Sequence, residues 1–231
     1  MIADVIIPAL DEAATLPLVL AAIPPGLVRD VYVVDNGSRD QTARCAVEGG
    51  AKLLYEPRRG YGAACLRGLR HVTALERPPD AVVFLDADLA DDPAEMGLLL
   101  APLRAEAADL VIGSRTLGTR QPGALAVQQR VGNCVAVSLI RAIYGQRYTD
   151  LGPFRCVRLP ALVALGMTDT GYGWTVEMQV KAAKAELRIV EVPVSYRKRA
   201  GGRSKISSTV RGTVGASYKI LYTIVRHATA R

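Results

Sequence analysis

Asp86 and Asp88 stand one residue apart at the end of the apolar run Val82–Leu85, in Val-Val-Phe-Leu-Asp-Ala-Asp-Leu-Ala-Asp-Asp-Pro. On extended backbone, residues two apart point to the same side, so this spacing presents two carboxylates together. Two hard oxygen donors on one face suit Mg2+ or Mn2+, above all a cation also held by a diphosphate. The plainer alternative is a solvated loop before a helix, because Asp91 or Asp92 ahead of Pro93 is well placed to cap one. Two further acidic groups follow apolar runs: Asp11 and Glu12 after Ile2–Pro8, and Asp35 after Val31–Val34. Asp11 and Glu12 also suit a helix first turn. Asp35, at a strand tip, suits recognition of a base or ribose.

These acids need a scaffold that brings strand ends together. Apolar strands are expected at Ile2–Pro8, Val31–Val34, Ala51–Tyr55, Ala81–Leu85 and Leu110–Gly113. Between them lie helical stretches from Asp11 to about Ile23, after Ser38 or Asp40, over Gly60–Leu75 and over Pro93–Arg104. That alternation predicts an α/β fold with a mostly parallel sheet and helices on both faces, in which strand ends converge on one crevice. The second half alternates less cleanly. It reads as a polar loop Thr116–Gly123, a helix Ala124–Ile143, a strand Phe154–Arg158, a helix Trp174–Ala185 and a strand Leu187–Tyr196 interrupted by Pro193. A basic, glycine-rich loop Tyr196–Ser208 and a final amphipathic helix Val210–Val225 complete it. With no repeat or Ser/Gly linker, the 231 residues predict a single domain, 1–231.

Half of the residues are hydrophobic, which argues against disorder. The net charge is +7, and no acid follows Glu191. Such a charge favours anionic partners such as nucleotides or lipid surfaces. Nucleic acid fits poorly, because the chain has only two Phe and one Trp and its acids sit in the predicted crevice. Cys45, Cys65, Cys134 and Cys156 form no Cys-x-x-Cys pair and there are only two histidines, so a zinc site or disulfide framework is not expected. Asp4 breaks the first apolar run, and no uncharged run approaches the roughly 18 residues that a bilayer crossing needs. The expected location is cytoplasmic, with peripheral attachment to the membrane through Val210–Val225 as one reading. Packing of that helix on its own domain, or on a second copy in a homo-oligomer, is the other.

A dinucleotide-binding fold needs Gly-x-Gly-x-x-Gly after its first strand. Ala9-Leu10-Asp11-Glu12-Ala13 has no glycine, and Gly60-Tyr61-Gly62 lacks the third one. A phosphate-binding P-loop is also absent.

Six motifs occur in order: Pro8-Ala9-Leu10-Asp11-Glu12, Val34-Asp35-Asn36-Gly37-Ser38, Asp86-Ala87-Asp88, Gly113-Ser114-Arg115, Asp150-Leu151-Gly152-Pro153-Phe154-Arg155, and Arg199 to Lys205. Together they resemble the family 2 glycosyltransferases, and most of all the dolichyl- or polyprenyl-phosphate sugar synthases. The resemblance implies a GT-A type, Rossmann-like domain, with 1–115 as its nucleotide-sugar half, 116–208 as its acceptor half and 209–231 as a C-terminal helix. It implies that Pro8, Leu10, Glu12, Val33 and Asp35 surround the base and ribose of a donor of the GDP-mannose or UDP-glucose class. It places Mg2+ or Mn2+ on Asp86 and Asp88, with Ala87 against the nucleotide, Arg115 at the sugar or phosphate, and Arg199 and Lys205 closing over the diphosphate. Arg130 resembles the helix arginine that faces an acceptor phosphate, and Asn133 lies beside Cys134, where that family often has serine. Ala90 occupies a position where the family often has glutamine as a further metal ligand, leaving Asp91 or water to complete the shell.

The implied reaction is a single displacement with inversion at the anomeric carbon, using Asp88 and Arg115. A phosphate acceptor such as polyprenyl phosphate is already an oxyanion, whereas a soluble hydroxyl acceptor needs a carboxylate base. Asp150 and Glu177 are the candidates, although Glu177 also suits the first turn of its helix. A sugar nucleotidyltransferase is the less favoured class, since the N-terminus lacks a glycine- and basic-rich phosphate loop.

Overall fold

The computed structural model describes residues 1–201 and 210–229. Seven strands, β1 (Ala3–Ala9), β2 (Asp30–Asp35), β3 (Lys52–Tyr55), β4 (Ala81–Phe84), β5 (Leu110–Ser114), β6 (Arg155–Arg158) and β7 (Ile189–Pro193), form one sheet in the order β3-β2-β1-β4-β6-β5-β7. All run parallel except β6, which lies antiparallel between β4 and β5. The order reverses between β1 and β4, which opens a crevice at their C-terminal ends. The sheet is thus the mostly parallel one that the alternating pattern predicts. The direction of β6 is the part that pattern does not carry.

Alternate side chains along each strand enter opposite core layers. Ile6, Val34, Val82, Phe84 and Ile112 face a layer built with α3 (Tyr61–Thr73), α5 (Val127–Tyr144), α6 (Leu159–Ala164) and α7 (Trp174–Lys184). Val5, Ile7, Val33, Val83 and Val111 face a layer built with α1 (Leu16–Ala22), α2 (Thr42–Glu48) and α4 (Met96–Arg104). The last helix, α8 (Val210–Thr229), packs on α5 and α7. Ile224 is buried there, Tyr144 Oη donates to its carbonyl at 2.5 Å, and Lys219 pairs with Asp169 at 2.8 Å.

Among the boundaries that shift from the sequence reading, three lie around the crevice. The first helix starts at Leu16, because residues 10–15 form the crevice loop and Asp11 takes a φ of 50°. Of the two cap candidates Asp92 caps the turn at Pro93, accepting from Ala94 N at 3.2 Å, and a short 3-10 turn delays the start of α4 to Met96. The last strand ends at Pro193, on the edge of the sheet, where a missing N–H is tolerated.

Candidate active site

After Phe84 the chain leaves the sheet, and Asp86 and Asp88 emerge beside the loop that follows β1. Asp86 Oδ1 accepts a hydrogen bond from Tyr61 Oη at 3.0 Å. Asp88 Oδ1 accepts from Ala90 N at 2.9 Å, and its Oδ2 accepts from Arg199 Nε at 2.7 Å. The same guanidinium donates through Nη2 to Glu12 Oε1 at 2.9 Å. Glu12 therefore turns its carboxylate into the crevice, while its carbonyl starts α1 by accepting from Thr15 N and Leu16 N. Asp35 ends β2, buried, with Oδ1 accepting from Ser38 N at 2.9 Å. Asn36 joins the β2 and β3 ends: its Nδ2 donates to the carbonyls of Glu56 and Arg58, and its Oδ1 accepts from Gly60 N at 2.7 Å.

Pro8 and Leu10 lie half-buried at the end of β1, and Ala87 is buried between the paired acids. Val33 is a correction. It is fully buried, in register with Ile7 and Leu53, and packs in the core layer with α1, so its side chain does not line the crevice. Lys205, with Gly202 and Ser204, lies outside the described residues.

Burial, with the Asp88 carboxylate close by, pushes the Asp86 carboxyl up to about 7. Asp91 is 2% exposed, and neither of its carboxylate oxygens has a partner among the described residues. Burial raises its carboxyl well above the usual range, opposed by Arg115 and reinforced by Asp86 and Asp88. Among the described residues no three acids, histidines or cysteines come together as a metal cage. The Asp86–Asp88 pair stands at the mouth of the crevice, with the Asp91 carboxylate, unpartnered among the described residues, buried three residues on. That donor set fits Mg2+ or Mn2+ carried on a diphosphate, because such cations need only one or two carboxylates when phosphate oxygens and water complete the shell.

On the other side of Asp86, Arg115 follows β5 and grips Asp150. Nε donates to Oδ2 and Nη2 to Oδ1, both at 2.7 Å, and Arg115 N donates to Oδ2 at 2.8 Å. The Tyr196 ring lies 5.0 Å from the guanidinium carbon. Asp150 Oδ1 also accepts from Leu151 N at 2.8 Å. Its loop is fixed by Glu191, which accepts from Thr149 N and Asp150 N, by Gln179 on the Asp150 carbonyl, and by Asn133, which spans Thr149 O and Leu151 N. Beneath it, the buried Arg155 donates to the Gly152 and Thr175 carbonyls, and burial lowers its pKa to about 10. Asp150 is thus a fully engaged ion-pair partner rather than an open base. Asn133 acts as a clamp on this loop and also lines the cavity beside it.

Glu177 does not join the cluster. Its carboxylate accepts from Thr168 N, Thr168 Oγ1 and Asp169 N and pairs with Lys181 at 2.8 Å. These donors outweigh burial and hold its pKa below the usual carboxylate range.

A cavity of about 750 Å3 opens against Asp86, Arg115 and Asp150. Its wall carries Leu125, Val127, Val131, Val137, Leu151 and Ile220, together with Arg120, Arg130 and Cys134. Neither Arg120 nor Arg130 forms an ion pair with a described residue. The strap Ser195–Ala200 ties this side to the acids. Tyr196 N donates to Thr119 O, Gln121 N to Tyr196 O, and Arg197 N to Ala90 O, each at 2.8–2.9 Å. Arg197 pairs with Asp92.

Tyr61, Arg120 and Tyr196 are the residues that sequence reasoning passes over. Tyr61 had a signal in its flanking glycines. A Cβ on Gly60 or Gly62 would stand 2.1 or 2.0 Å from the Thr170 or Asp169 carbonyl, so only glycine lets the 169–171 backbone approach and hold the tyrosine over Asp86.

The mostly parallel sheet, with paired acids at its switch point and one antiparallel strand, has the architecture of the GT-A glycosyltransferases. A profile of the family described as Glycosyl transferase family 2 matches residues 4–160, and the chain belongs to that family. It is 39% identical over 212 residues to an uncharacterized glycosyltransferase of Mycobacterium tuberculosis, covering 91% of this chain and 92% of the relative. It is 35% identical over 222 residues to an undecaprenyl-phosphate mannosyltransferase of Micrococcus luteus, covering 90% and 88%. Its fold matches the glucosyl-3-phosphoglycerate synthase of Mycobacterium tuberculosis with a TM-score of 0.78 at 24% identity, over 100% of this chain and 79% of that one. That enzyme was crystallised with Mn2+, uridine diphosphate and phosphoglyceric acid.

Proposed function

We propose that the enzyme transfers a hexose from a nucleoside diphosphate sugar of the GDP-mannose or UDP-glucose class to the phosphate of a polyprenyl phosphate, with inversion. One observation carries the acceptor: the cavity against Asp86 has an apolar wall and guanidiniums at Arg115, Arg120 and Arg130. A wall of that kind suits an amphiphile, and guanidiniums suit its phosphate. The 35% identity to an undecaprenyl-phosphate mannosyltransferase supports the same reading.

In the proposed reaction Glu12, Asp35, Pro8 and Leu10 hold the nucleoside, and Asp86 and Asp88 hold Mg2+ or Mn2+ on the diphosphate. The cation supplies charge stabilisation for the leaving nucleoside diphosphate. Arg199 and Lys205 add positive charge at the same diphosphate. Arg115, fixed by Asp150, and Arg130 orient the acceptor phosphate for in-line attack. No general base is required, in keeping with the full engagement of Asp150 and Glu177.

A soluble phosphorylated acceptor is the second reading, because the same arginines suit it and a structural relative was crystallised with phosphoglyceric acid. Among the described residues no helix is long and apolar enough to cross a membrane. The exposed Val127, Val131 and Val135 on α5, and Tyr218, Leu221 and Val225 on α8, offer a surface for peripheral contact with the bilayer that holds the lipid. Turnover of labelled GDP-mannose and UDP-glucose with Mn2+ against undecaprenyl phosphate and 3-phosphoglycerate tests the proposal. Transfer to the lipid alone is expected; transfer to phosphoglycerate alone replaces the lipid reading with the second one.

A further inference from the structure

Arg199 stands where a cation belongs. Its guanidinium bridges Asp88 and Glu12 at 2.7 and 2.9 Å, and its Nη1 is buried without a partner among the described residues. The backbone on either side is pinned to the acid loop, by Ala200 N on the Asp88 carbonyl at 3.3 Å and Arg197 N on the Ala90 carbonyl at 2.8 Å. Asp88 Oδ1 accepts from Ala90 N and its Oδ2 from Arg199, so a divalent cation on this carboxylate meets the guanidinium directly. Two cations cannot share that carboxylate without repulsion in a half-buried site. A nucleoside diphosphate changes the balance, because it offers the guanidinium a second anion and leaves Asp88 to the metal.

We infer that Arg199 is a resident counter-ion that makes the site accept its divalent cation and nucleoside diphosphate together and turn the free cation away. The inference rests on the donor reading above. It gives Arg199 opposite effects in two states: against the metal when the site is empty, and for the donor once the diphosphate is bound. Linkage makes the coupling reciprocal, so the metal tightens the nucleotide by the same factor that the nucleotide tightens the metal.

The test is Mn2+ binding to the full-length protein, read by electron paramagnetic resonance at fixed pH, with and without UDP or GDP. Wild type is compared with Arg199→Gln, Arg199→Lys and Arg197→Gln, each checked for a wild-type circular dichroism spectrum. Without nucleotide, Arg199→Gln is expected to take Mn2+ at least about fivefold more tightly than wild type. With nucleotide the order reverses. Arg199→Lys keeps the charge but reaches one carboxylate at a time, and falls between in both arms. Arg197 lies on the same strap and pairs with Asp92, away from the Asp88 carboxylate, and Arg197→Gln matches wild type in the nucleotide-free arm. Unchanged or weaker free-Mn2+ binding by folded Arg199→Gln, with Mn2+–nucleotide binding by wild type intact, overturns the inference and leaves the donor reading standing. No Mn2+ uptake by any of the four proteins in either arm removes the donor reading and the inference with it.

Discussion

Asp88 holds Arg199 and, in the proposed donor complex, the metal. Asp88→Ala is therefore expected to lower turnover by at least about a hundredfold, on the scale of losing one preorganised electrostatic contact. The fold should survive, because the carboxylate's hydrogen bonds go to the Ala90 loop and the Arg199 strap rather than to a strand; initial rates and thermal melts measure both. Asp86 brings a pH dependence. Its carboxyl titrates at about 7, so it is ionised above that value and protonated below it. A metal must displace that proton, and apparent Mn2+ affinity in the presence of nucleotide should fall by about tenfold per pH unit below 7; calorimetry at pH 6 and 8 checks it. Glu177 separates structure from catalysis. Glu177→Gln removes the Lys181 partner and an acceptor of backbone N–H groups, at a cost of about 1–3 kcal/mol in stability. Turnover per folded molecule should stay within about threefold of wild type, whereas a general base would cost about a hundredfold or more. The acids at strand ends were legible because their signal is local: an apolar run, then a carboxylate. What each acid holds was not. Arg199 meets Asp88 and Glu12 from 111 and 187 residues away, and Arg115 reaches Asp150 across 35. Asp150 looks like a base until that distant guanidinium is in place. Val33 shares the strand parity of Asp35, but parity gives the face and not the depth, and two residues from the strand end that face is core.

At the scale of elements, the start of α3 and the 169–171 turn hold the site together. Gly62→Ala places a methyl 2.0 Å from the Asp169 carbonyl, a backbone atom that cannot swing aside. A loss of about 1–3 kcal/mol is expected, and with it weaker Mn2+–nucleotide binding, because Tyr61 is displaced from Asp86. Gly97→Ala in α4 is the contrast: nothing lies within 4 Å of its Cβ, and helix propensity should add about 0.5–1 kcal/mol. Chemical denaturation of both variants measures the pair. The strands and most helices could be read from apolar runs and their punctuation. The antiparallel direction of β6 could not, because a four-residue strand carries no mark of its direction. Here it is set by the return of the chain from the long α5.

For the whole molecule, the sheet sets the acid-lined crevice on one side of Asp86 and an apolar-walled cavity of about 750 Å3 on the other, with the strap Ser195–Ala200 joined to both. The amphipathic pattern of α8 was legible as a stripe, but its outcome depends on α5 and α7. Ile224 goes inward, and Tyr218, Leu221 and Val225 stay exposed.

The structure of the product tests this account most directly. Nuclear magnetic resonance of the butanol-extracted product, made from a nucleoside diphosphate hexose, Mn2+ and undecaprenyl phosphate in vesicles, reads both linkage and anomer. The account predicts a hexosyl phosphate, with the anomeric proton coupled to phosphorus and the configuration inverted from the donor. A hexose linked to carbon through a neutral glycoside, or a retained anomer, would contradict it.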